Sequence, residues 1–403
     1  MKHLLLLAFV TLTAPVSAQN PATRAAATIR PADVERRIRI IADDSMMGRD
    51  TPSPGLEMTA QYVASEFRKF GLKPGGDSGT FFQRYPITRR KLNVVGSSIR
   101  FQGVAEIPIS FADGAYVLFG DPPNDPITGD MVLIGGAVDP SQIPPAEVKD
   151  KIVIWPVDFS KEVPQNAGLV VNQLFSSGAR LLVVISNRDS TKFDAELDSH
   201  LGETVTFGSG EGHGGPLVIE VRETAISSVY PQATEQFAQV RGAPNTVVQD
   251  VAPWTATLTL HQQVLGTSMA PNTIGILEGS DPRLKSEYLV YSAHMDHIGI
   301  TPGQPDSISN GADDDGSGTV GVLELAEAFT QRNARPKRSV IFMTVSGEEK
   351  GLWGSSYFSD HPTVPIKSIV ADLNIDMIGR NWKDTIVAIG MQHSDLGPTL
   401  ERV

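Results

Sequence analysis

The stretch EYLVYSAH (residues 287–294) opens the part of the chain whose pattern decides the fold. It is followed by TVGVLELAEAFTQR (319–332), RSVIFMTVSGEE (338–349), LWGSSYFSD (352–360) and SIVADLNIDMIG (368–379). Near-continuous apolar runs predict buried strands, and the amphipathic runs between them predict helices. This alternation is typical of a parallel sheet with helices on both faces. We therefore predict an α/β fold with a mostly parallel central sheet covered by helices on both faces.

Acidic and imidazole side chains follow three of these predicted strands. The first strand ends at His294, the second is followed by Glu348 and Glu349, and the third is followed by Asp376. Ligands of open α/β sheets gather at the carboxyl ends of the strands. Each residue alone has an ordinary structural explanation, but their convergence at one edge predicts a functional site.

Three consecutive aspartates lie between the first strand and the next helix, in NGADDDGSG (residues 310–318). Such a loop can simply be a turn with Ser317 as the N-cap of the helix. A calcium EF-hand does not fit, because placing Asp313 and Asp315 at its third and fifth positions puts Gly311 first and Val322 twelfth. No Gly-Lys-Ser/Thr follows, so a phosphate loop does not fit either. A hydrolytic zinc site remains, in which one carboxylate bridges two cations.

Composition limits the class of protein. The chain has 403 residues, 40% of them hydrophobic, a formal net charge of -12 and no Cys. The negative charge argues against a nucleic-acid-binding surface. Without Cys, there is neither a disulfide framework nor a thiol nucleophile, and any metal must be held by His, Asp and Glu. We expect no stable membrane anchor.

The N-terminus predicts export. A short basic start precedes the apolar run LLLLAFVTLTAPV (residues 4–16) and the small residues before Gln19. The apolar run is too short to span a bilayer, and this arrangement is typical of a secretory signal peptide cleaved after Ala18. We expect a secreted or periplasmic protein.

The sequence pattern also suggests domain boundaries. Residues 19–110 are predicted to contribute the N-terminal part of the main domain. Residues 111–255 are rich in short β-type runs such as DKIVIWPV (150–157) and ARLLVVIS (179–186), and predict an inserted β-rich module. Residues 256–403 are predicted to complete the main domain and to contain the site.

Four motifs in this order and spacing resemble the co-catalytic di-zinc aminopeptidases, the metallopeptidase family that includes secreted bacterial leucyl-type aminopeptidases. They are SAHMDHIG (292–299), NGADDDGSGT (310–319), SGEEKGLWGS (346–355) and NIDMIGR (374–380). The middle segment is similar to the protease-associated domain that many members carry as an insertion. The resemblance implies a zinc-dependent aminopeptidase acting on peptides with a free N-terminus, with two zinc ions and an aminopeptidase/phosphorylase-like fold.

Carried over position by position, the resemblance implies a set of metal ligands. His294 and Asp376 would bind the first zinc, Asp314 would bridge both ions, and Glu349 would bind the second.

The resemblance also implies three supporting roles. Glu348 would be the general base and later the acid. Asp296 would accept the other imidazole N–H of His294, and Asp315 would support the bridging carboxylate without touching metal.

One family element, a further His well downstream that binds the second zinc, has no match before Val403. We therefore expect a C-terminally truncated chain that binds its second zinc weakly and hydrolyses peptides slowly. Other functions in the superfamily stay open: a carboxypeptidase, a glutaminyl cyclase with one zinc, or an inactive binding protein such as the transferrin receptor or nicastrin. His297 is expected to be a polar loop residue, with substrate contact as a second possibility.

Overall fold

A computed structural model describes residues 20–401 except 121, 162–163, 209–215, 304, 332–333 and 384. The predicted signal peptide, residues 1–18, lies outside the described residues. The chain forms two compact units: unit 1 comprises Met1–Tyr85 and Met269–Val403, and unit 2 comprises Pro86–Ser268. Within the described part of the chain, no helix is both long and apolar enough to cross a bilayer.

The helices are α1 Pro21–Ala26, α2 Pro31–Ile41, α3 Pro54–Lys69, α4 Pro145–Val148, α5 Ala167–Ser176, α6 Ser190–His200, α7 Glu223–Ser227, α8 Gln232–Arg241, α9 Gly316–Thr330, α10 Trp353–Asp360 and α11 Leu396–Leu400.

The strands are β1 Lys73–Pro74, β2 Phe82–Leu92, β3 Ser98–Gln102, β4 Glu106–Ser110, β5 Ala115–Phe119, β6 Ile127–Gly135, β7 Ile152–Val157, β8 Leu181–Ser186, β9 Glu203–Phe207, β10 Val218–Arg222, β11 Val247–Thr259, β12 Gln262–Leu277, β13 Tyr288–His294, β14 Gly299–Ile300, β15 Ile308–Ser309, β16 Ser339–Val345 and β17 Ile369–Asn374.

The sheet of unit 1 contains the strands that precede the predicted site. Its strand order is β17-β13-β16-β12. β13 pairs in parallel with both β16 and β17, whereas β12 pairs antiparallel with β16 and with β1. The sheet is therefore mixed, and the expected mostly parallel arrangement holds only for β13, β16 and β17. Both antiparallel pairs involve β12, which precedes the strand–helix alternation that begins at β13.

Both faces of this sheet are covered. One face packs with α2, α3 and α9 in a cluster that includes Phe67, Leu323 and Phe342. The other face packs Ile341 and Met343 with α10. Alternate residues of β16 thus enter opposite cores, which explains why its sequence is apolar throughout.

Unit 2 has a sheet of its own, with the order β4-β3-β11-β6-β7-β8-β10-β5. β6, β7, β8 and β10 pair in parallel in sequence, and the remaining neighbours pair antiparallel. Its bounds, 86–268, begin 25 residues before and end 13 residues after the 111–255 predicted from composition. The difference arises because β3 and β4 pair with each other and β3 pairs with β11, although nothing in their composition separates them from the preceding segment.

Candidate metal centre

The carboxyl ends of three parallel strands place the site. His294 at the end of β13 pairs with Val345 at the end of β16, and Ser292 pairs with Asn374 at the end of β17. The backbone N–H of Met295 also donates to the carbonyl of Val345 at 2.8 Å. The loops that follow these strands consequently leave the sheet side by side, as the sequence pattern predicted.

A first cluster contains His294, Asp314 and Asp376. The Nε2 atom of His294 lies 3.1 Å from Oδ1 of Asp314 and 3.9 Å from Oδ1 of Asp376. One ligand atom from each residue lies within 4.8 Å of the others. A zinc ion that lies about 2.0–2.2 Å from each of two ligand atoms can bridge a gap as wide as either distance measured from Nε2 of His294.

A second cluster contains His297, Asp314 and Glu349. The Nδ1 atom of His297 lies 3.8 Å from Oδ2 of Asp314 and 2.5 Å from Oε1 of Glu349. Asp314 therefore belongs to both clusters and faces each with a different oxygen. A carboxylate in this position can join two cations, which is the arrangement of two-metal hydrolytic sites.

Sequence reasoning left His297 as a loop neighbour, but the structure brings it to the second cluster. The short spacing His294-Met295-Asp296-His297 was the available signal, since it puts two imidazoles in one loop beside the strand end. The backbone N–H of His297 donates to the carbonyl of Arg49 at 3.3 Å, which fixes the loop at this residue.

The hydrogen bond of the His294 ring differs from the expected one. Nδ1 of His294 lies 3.1 Å from the backbone carbonyl of Asp296 and 3.7 Å from its carboxylate, so the N–H donates to the backbone. This bond keeps a proton on Nδ1, so that Nε2, once it loses its own proton, would be the nitrogen that binds metal. Burial lowers the pKa of His294, but the carboxylates of Asp296 and Asp315 outweigh burial and raise it to about 9.

The carboxylate of Asp296 has other partners. It accepts hydrogen bonds from the Thr51 hydroxyl at 3.0 Å and from the backbone N–H of Glu348 at 3.3 Å. Thr51 in turn accepts from the backbone N–H of Gly347 at 3.0 Å. Asp296 is fully buried, and its hydrogen bond to the backbone of Glu348 ties the loop after β16 to the end of β13.

Each aspartate of the triplet has separate contacts. Asp315 is the N-cap of α9 in place of Ser317, and its side chain accepts from the backbone N–H groups of Gly318 at 2.8 Å, Met377 at 3.2 Å and His294 at 3.2 Å. Asp313 accepts from the backbone N–H of Gly379 at 2.7 Å, away from both clusters. The Asp314-Asp315 peptide bond is cis.

Arg49 is a site residue that sequence reasoning missed. Its buried guanidinium donates to backbone carbonyls in the β13 loop and in the aspartate loop: 2.8 Å to Met295, 2.5 Å to Asn310 and 2.8 Å to Gly311. Arg49 lies 246 residues before Met295, and nothing in its local sequence indicates this contact.

Glu348 borders the first cluster. Its Oε2 lies 3.9 Å from Nε2 of His294, and about a third of its side chain is exposed. Burial and the neighbouring carboxylates of Glu349 and Asp296 raise the pKa of Glu348, although the His294 ring opposes the shift. A carboxylate with this exposure and position can exchange a proton with a water at the cluster.

The donor set fits zinc. It consists of imidazole nitrogens and carboxylate oxygens, which are the ligands zinc accepts when no thiolate is available. Burial raises the pKa of Asp315 to about 8, although the His294 ring opposes the shift, while the charge of Asp376 adds to it.

Comparison with known proteins places the site in a family. Residues 272–402 match the model of peptidase family M28. Residues 272–402 thus carry the sequence of a peptidase family M28 domain. The matched range includes both clusters and Glu348.

Three curated relatives resemble parts of this chain. They are the aminopeptidase YwaD of Bacillus subtilis (strain 168), 31% identical over 31% of this chain and 25% of the relative; a probable zinc metalloprotease of Pyrenophora tritici-repentis (strain Pt-1C-BFP), 33% identical over 25% and 20%; and a vacuolar membrane protease of Tuber melanosporum (strain Mel28), 28% identical over 40% and 15%. The chain thus spans a quarter or less of the length of these relatives.

Two solved structures are similar. An aminopeptidase from Aneurinibacillus sp. strain AM-1 aligns over 88% of this chain and 72% of its own, with 15% identity and a TM-score of 0.44. The zinc aminopeptidase BSAP from Bacillus subtilis aligns over 87% and 70%, with 18% identity and a TM-score of 0.38.

Proposed function

We propose that unit 1 contains the catalytic site of a zinc-dependent aminopeptidase. The position of Asp314 carries this proposal, because its two carboxylate oxygens face two separate groups of ligand atoms. The match of residues 272–402 to family M28 and the names of the relatives, an aminopeptidase and a zinc metalloprotease among them, support it.

Four residues named from the sequence are proposed to hold the metals. His294 and Asp376 would hold one ion, Glu349 would hold the other, and Asp314 would be shared by both. When bound, a zinc pair supplies a water of lowered pKa and positive charge beside the developing oxyanion.

Glu348 is proposed to move the proton. Its Oε2 accepts the proton of the attacking water and later returns it to the leaving amine. Asp296 positions this step, because its carboxylate holds the backbone N–H of Glu348 while its own carbonyl orients the His294 ring. Asp315 supports the bridge by fixing the start of α9 to the end of β13.

The substrate is proposed to be a peptide with a free N-terminus. The partly exposed carboxylate of Glu348 lies beside the first cluster, and a site this rich in carboxylates can attract a substrate ammonium group. The net charge of -12 gives no support to a nucleic-acid substrate. Residues 111–255 are proposed to be a protease-associated-like insertion, and residues 1–18 a signal peptide whose removal would leave Gln19 first.

A Glu348→Gln variant tests the reaction. We expect hydrolysis of leucine p-nitroanilide to fall by roughly 10²–10⁴-fold, because the amide cannot accept the proton. Zinc content should stay unchanged, since Glu348 is not a proposed ligand. Glu235→Gln in α8 is the matched control, and because Glu235 is exposed we expect full activity.

The outcome also separates the alternatives. Unchanged turnover in Glu348→Gln would exclude the proposed base. N-acetyl-leucine p-nitroanilide should resist hydrolysis if a free N-terminus is required. One zinc per chain with cyclisation of N-terminal glutamine peptides would indicate a glutaminyl cyclase, and release of C-terminal residues would indicate a carboxypeptidase. Two bound zinc ions with no turnover of any of these substrates would indicate a binding protein.

A further inference from the structure

We propose that Asn272 is a positioning residue for Glu348. Residues 346–354, named here the Glu348 turn, lead from the end of β16 into α10 and carry both Glu348 and Glu349. Asn272 lies in the neighbouring strand β12, and its side-chain amide holds the two ends of this turn together. The inference rests on the proposed aminopeptidase function, since the turn serves catalysis only if Glu348 moves the proton.

The antiparallel pairing of β12 with β16 places Asn272 at the base of the turn. The next residue of β12, Thr273, pairs with Thr344, so Asn272 lies beside the end of β16. Its side chain is fully buried. Oδ1 accepts from the backbone N–H of Ser346 at 3.2 Å, and Nδ2 donates to the carbonyl of Gly354 at 2.8 Å. One amide therefore contacts both the first and the last residue of the turn.

The three residues form a closed ring of hydrogen bonds. In addition to the two bonds of Asn272, the backbone N–H of Gly354 donates to the carbonyl of Ser346 at 2.9 Å. The ring thus satisfies the N–H and the carbonyl of both Ser346 and Gly354, which are buried. Removing the amide would leave one buried N–H and one buried carbonyl without these partners.

Gly354 permits this close packing. A Cβ atom built at Gly354 would overlap Oδ1 of Asn272 and the carbonyl of Ser346. Only glycine lets the start of α10 approach the amide and the strand end this closely.

A second contact fixes which way the amide faces. Nδ2 of Asn272 also donates to Oε1 of Gln83 at 3.1 Å, and Nε2 of Gln83 donates to the carbonyl of His361 at 2.6 Å. Rotating the Asn272 amide by half a turn would point its N–H groups at the N–H of Ser346. The contact with Gln83 therefore favours the orientation that closes the ring.

Glu348 depends on the ring because it lies two residues beyond Ser346. Its backbone N–H donates to the carboxylate of Asp296 at 3.3 Å, and its carbonyl accepts from the N–H groups of Gly351 at 2.8 Å and Leu352 at 3.1 Å. These bonds hold the tip of the turn, whereas Asn272 holds its base. A displacement of about 1 Å in a reacting group can cost about 10²-fold in rate, so a loosened base should slow proton transfer.

A contribution to overall stability alone is the competing explanation, and a matched pair of variants distinguishes it. Asn272→Leu keeps a side chain of similar shape that makes no hydrogen bond. Ser339→Ala is the control, at a buried residue at the opposite end of β16. Oγ of Ser339 accepts from the N–H of Gly279 at 3.0 Å and donates to the carbonyl of Lys285 at 2.6 Å. Both variants should lower the midpoint of urea unfolding in the presence of a chelator.

Hydrogen exchange of the metal-free protein, followed by mass spectrometry, tests the turn without reference to activity. In Asn272→Leu, residues 346–354 should exchange roughly tenfold faster, because loss of the ring favours local opening. Residues 288–294 of β13 should keep their protection. In Ser339→Ala, residues 346–354 should exchange at the rate of the unaltered protein.

Kinetics at saturating zinc test the consequence for the reaction. In Asn272→Leu, kcat for leucine p-nitroanilide should fall by roughly 10²-fold with little change in KM, because the variant displaces a proton-transfer group and no group that binds the substrate. Ser339→Ala should keep both constants.

The failure of this inference and that of the proposed function give different results. Unchanged exchange of residues 346–354 in Asn272→Leu, or an equal loss of kcat in Ser339→Ala, would overturn the positioning role and leave the proposed function intact. Unchanged turnover in Glu348→Gln would instead overturn the proposed function, and with it the role of Asn272 in catalysis, whatever the exchange rates show.

Discussion

Replacing Arg49 with Met should destabilise unit 1 and also weaken metal binding. Arg49 is fully buried and joins the segment after α2 to the loops that carry His294 and Asp314. Burial lowers the pKa of Arg49 to about 10, while carboxylates that include Asp296 oppose the shift, so the side chain stays charged at neutral pH. Met fills a similar volume but cannot donate a hydrogen bond.

The expected loss follows from the carbonyls that would be left without a donor. Arg49 donates to Ile41 at 2.9 Å, Asn310 at 2.5 Å, and Met295 and Gly311 at 2.8 Å each. An unsatisfied buried acceptor costs about 1–3 kcal/mol. Relaxation and the gain of an apolar side chain offset part of this sum. We therefore expect about 3–5 kcal/mol, the usual loss when a buried charged network is broken.

Arg37→Met is the matched control. Arg37 is equally buried, but it donates to Glu66, Glu324 and Glu327 on α3 and α9 and makes no contact with either metal cluster in the described structure. Urea unfolding in the presence of a chelator should show a loss of several kcal/mol for both variants, about 3–5 by the same reasoning.

Zinc affinity of the folded proteins then separates the two arginines. Only Arg49→Met should bind zinc more weakly, by about 10–100-fold, because only Arg49 positions the loops that carry ligands. If Arg37→Met lost as much zinc affinity as Arg49→Met, or if Arg49→Met kept the affinity of the unaltered protein, the positioning role of Arg49 would be refuted.

Four further outcomes are expected. Asp314→Asn should weaken both zinc ions in a chelator titration, whereas Asp313→Asn, which keeps an oxygen for the Gly379 N–H, should weaken neither; equal losses would contradict the bridge. Thr51→Val should lower kcat for leucine p-nitroanilide with little change in zinc content, because the Asp296 carboxylate loses its hydroxyl donor. A drop in zinc content equal to the drop in kcat would argue against that reason. Phe67→Ala should cost about 3–5 kcal/mol in urea unfolding, since the ring is fully buried between α3 and the sheet; a loss below about 1 kcal/mol would contradict the assigned core.

Local patterns were sufficient for the central strands. In β13 and β16, alternate residues point to opposite faces of the sheet, and both sets include apolar residues that pack in a core. This pattern arises because the sheet is buried on both sides. Their parallel pairing brings His294 and Glu348 to one edge, as the order of strands and helices indicated. The same reasoning did not reveal the antiparallel pairing of β12, because pairing direction depends on where a distant segment enters the sheet.

The sequence by itself determined the kind of chemistry: strand-end His and carboxylates, a carboxylate-rich loop before a helix, and no thiol ligand. Tertiary structure alone decided which atoms meet. It places Nδ1 of His297 beside Glu349, directs the ring of His294 to the carbonyl of Asp296 instead of its carboxylate, and puts Arg49 beneath both loops. Periodicity reports which face of an element is buried. These contacts instead join segments up to 265 residues apart, and they depend on side-chain rotamers and backbone turns that no local pattern encodes.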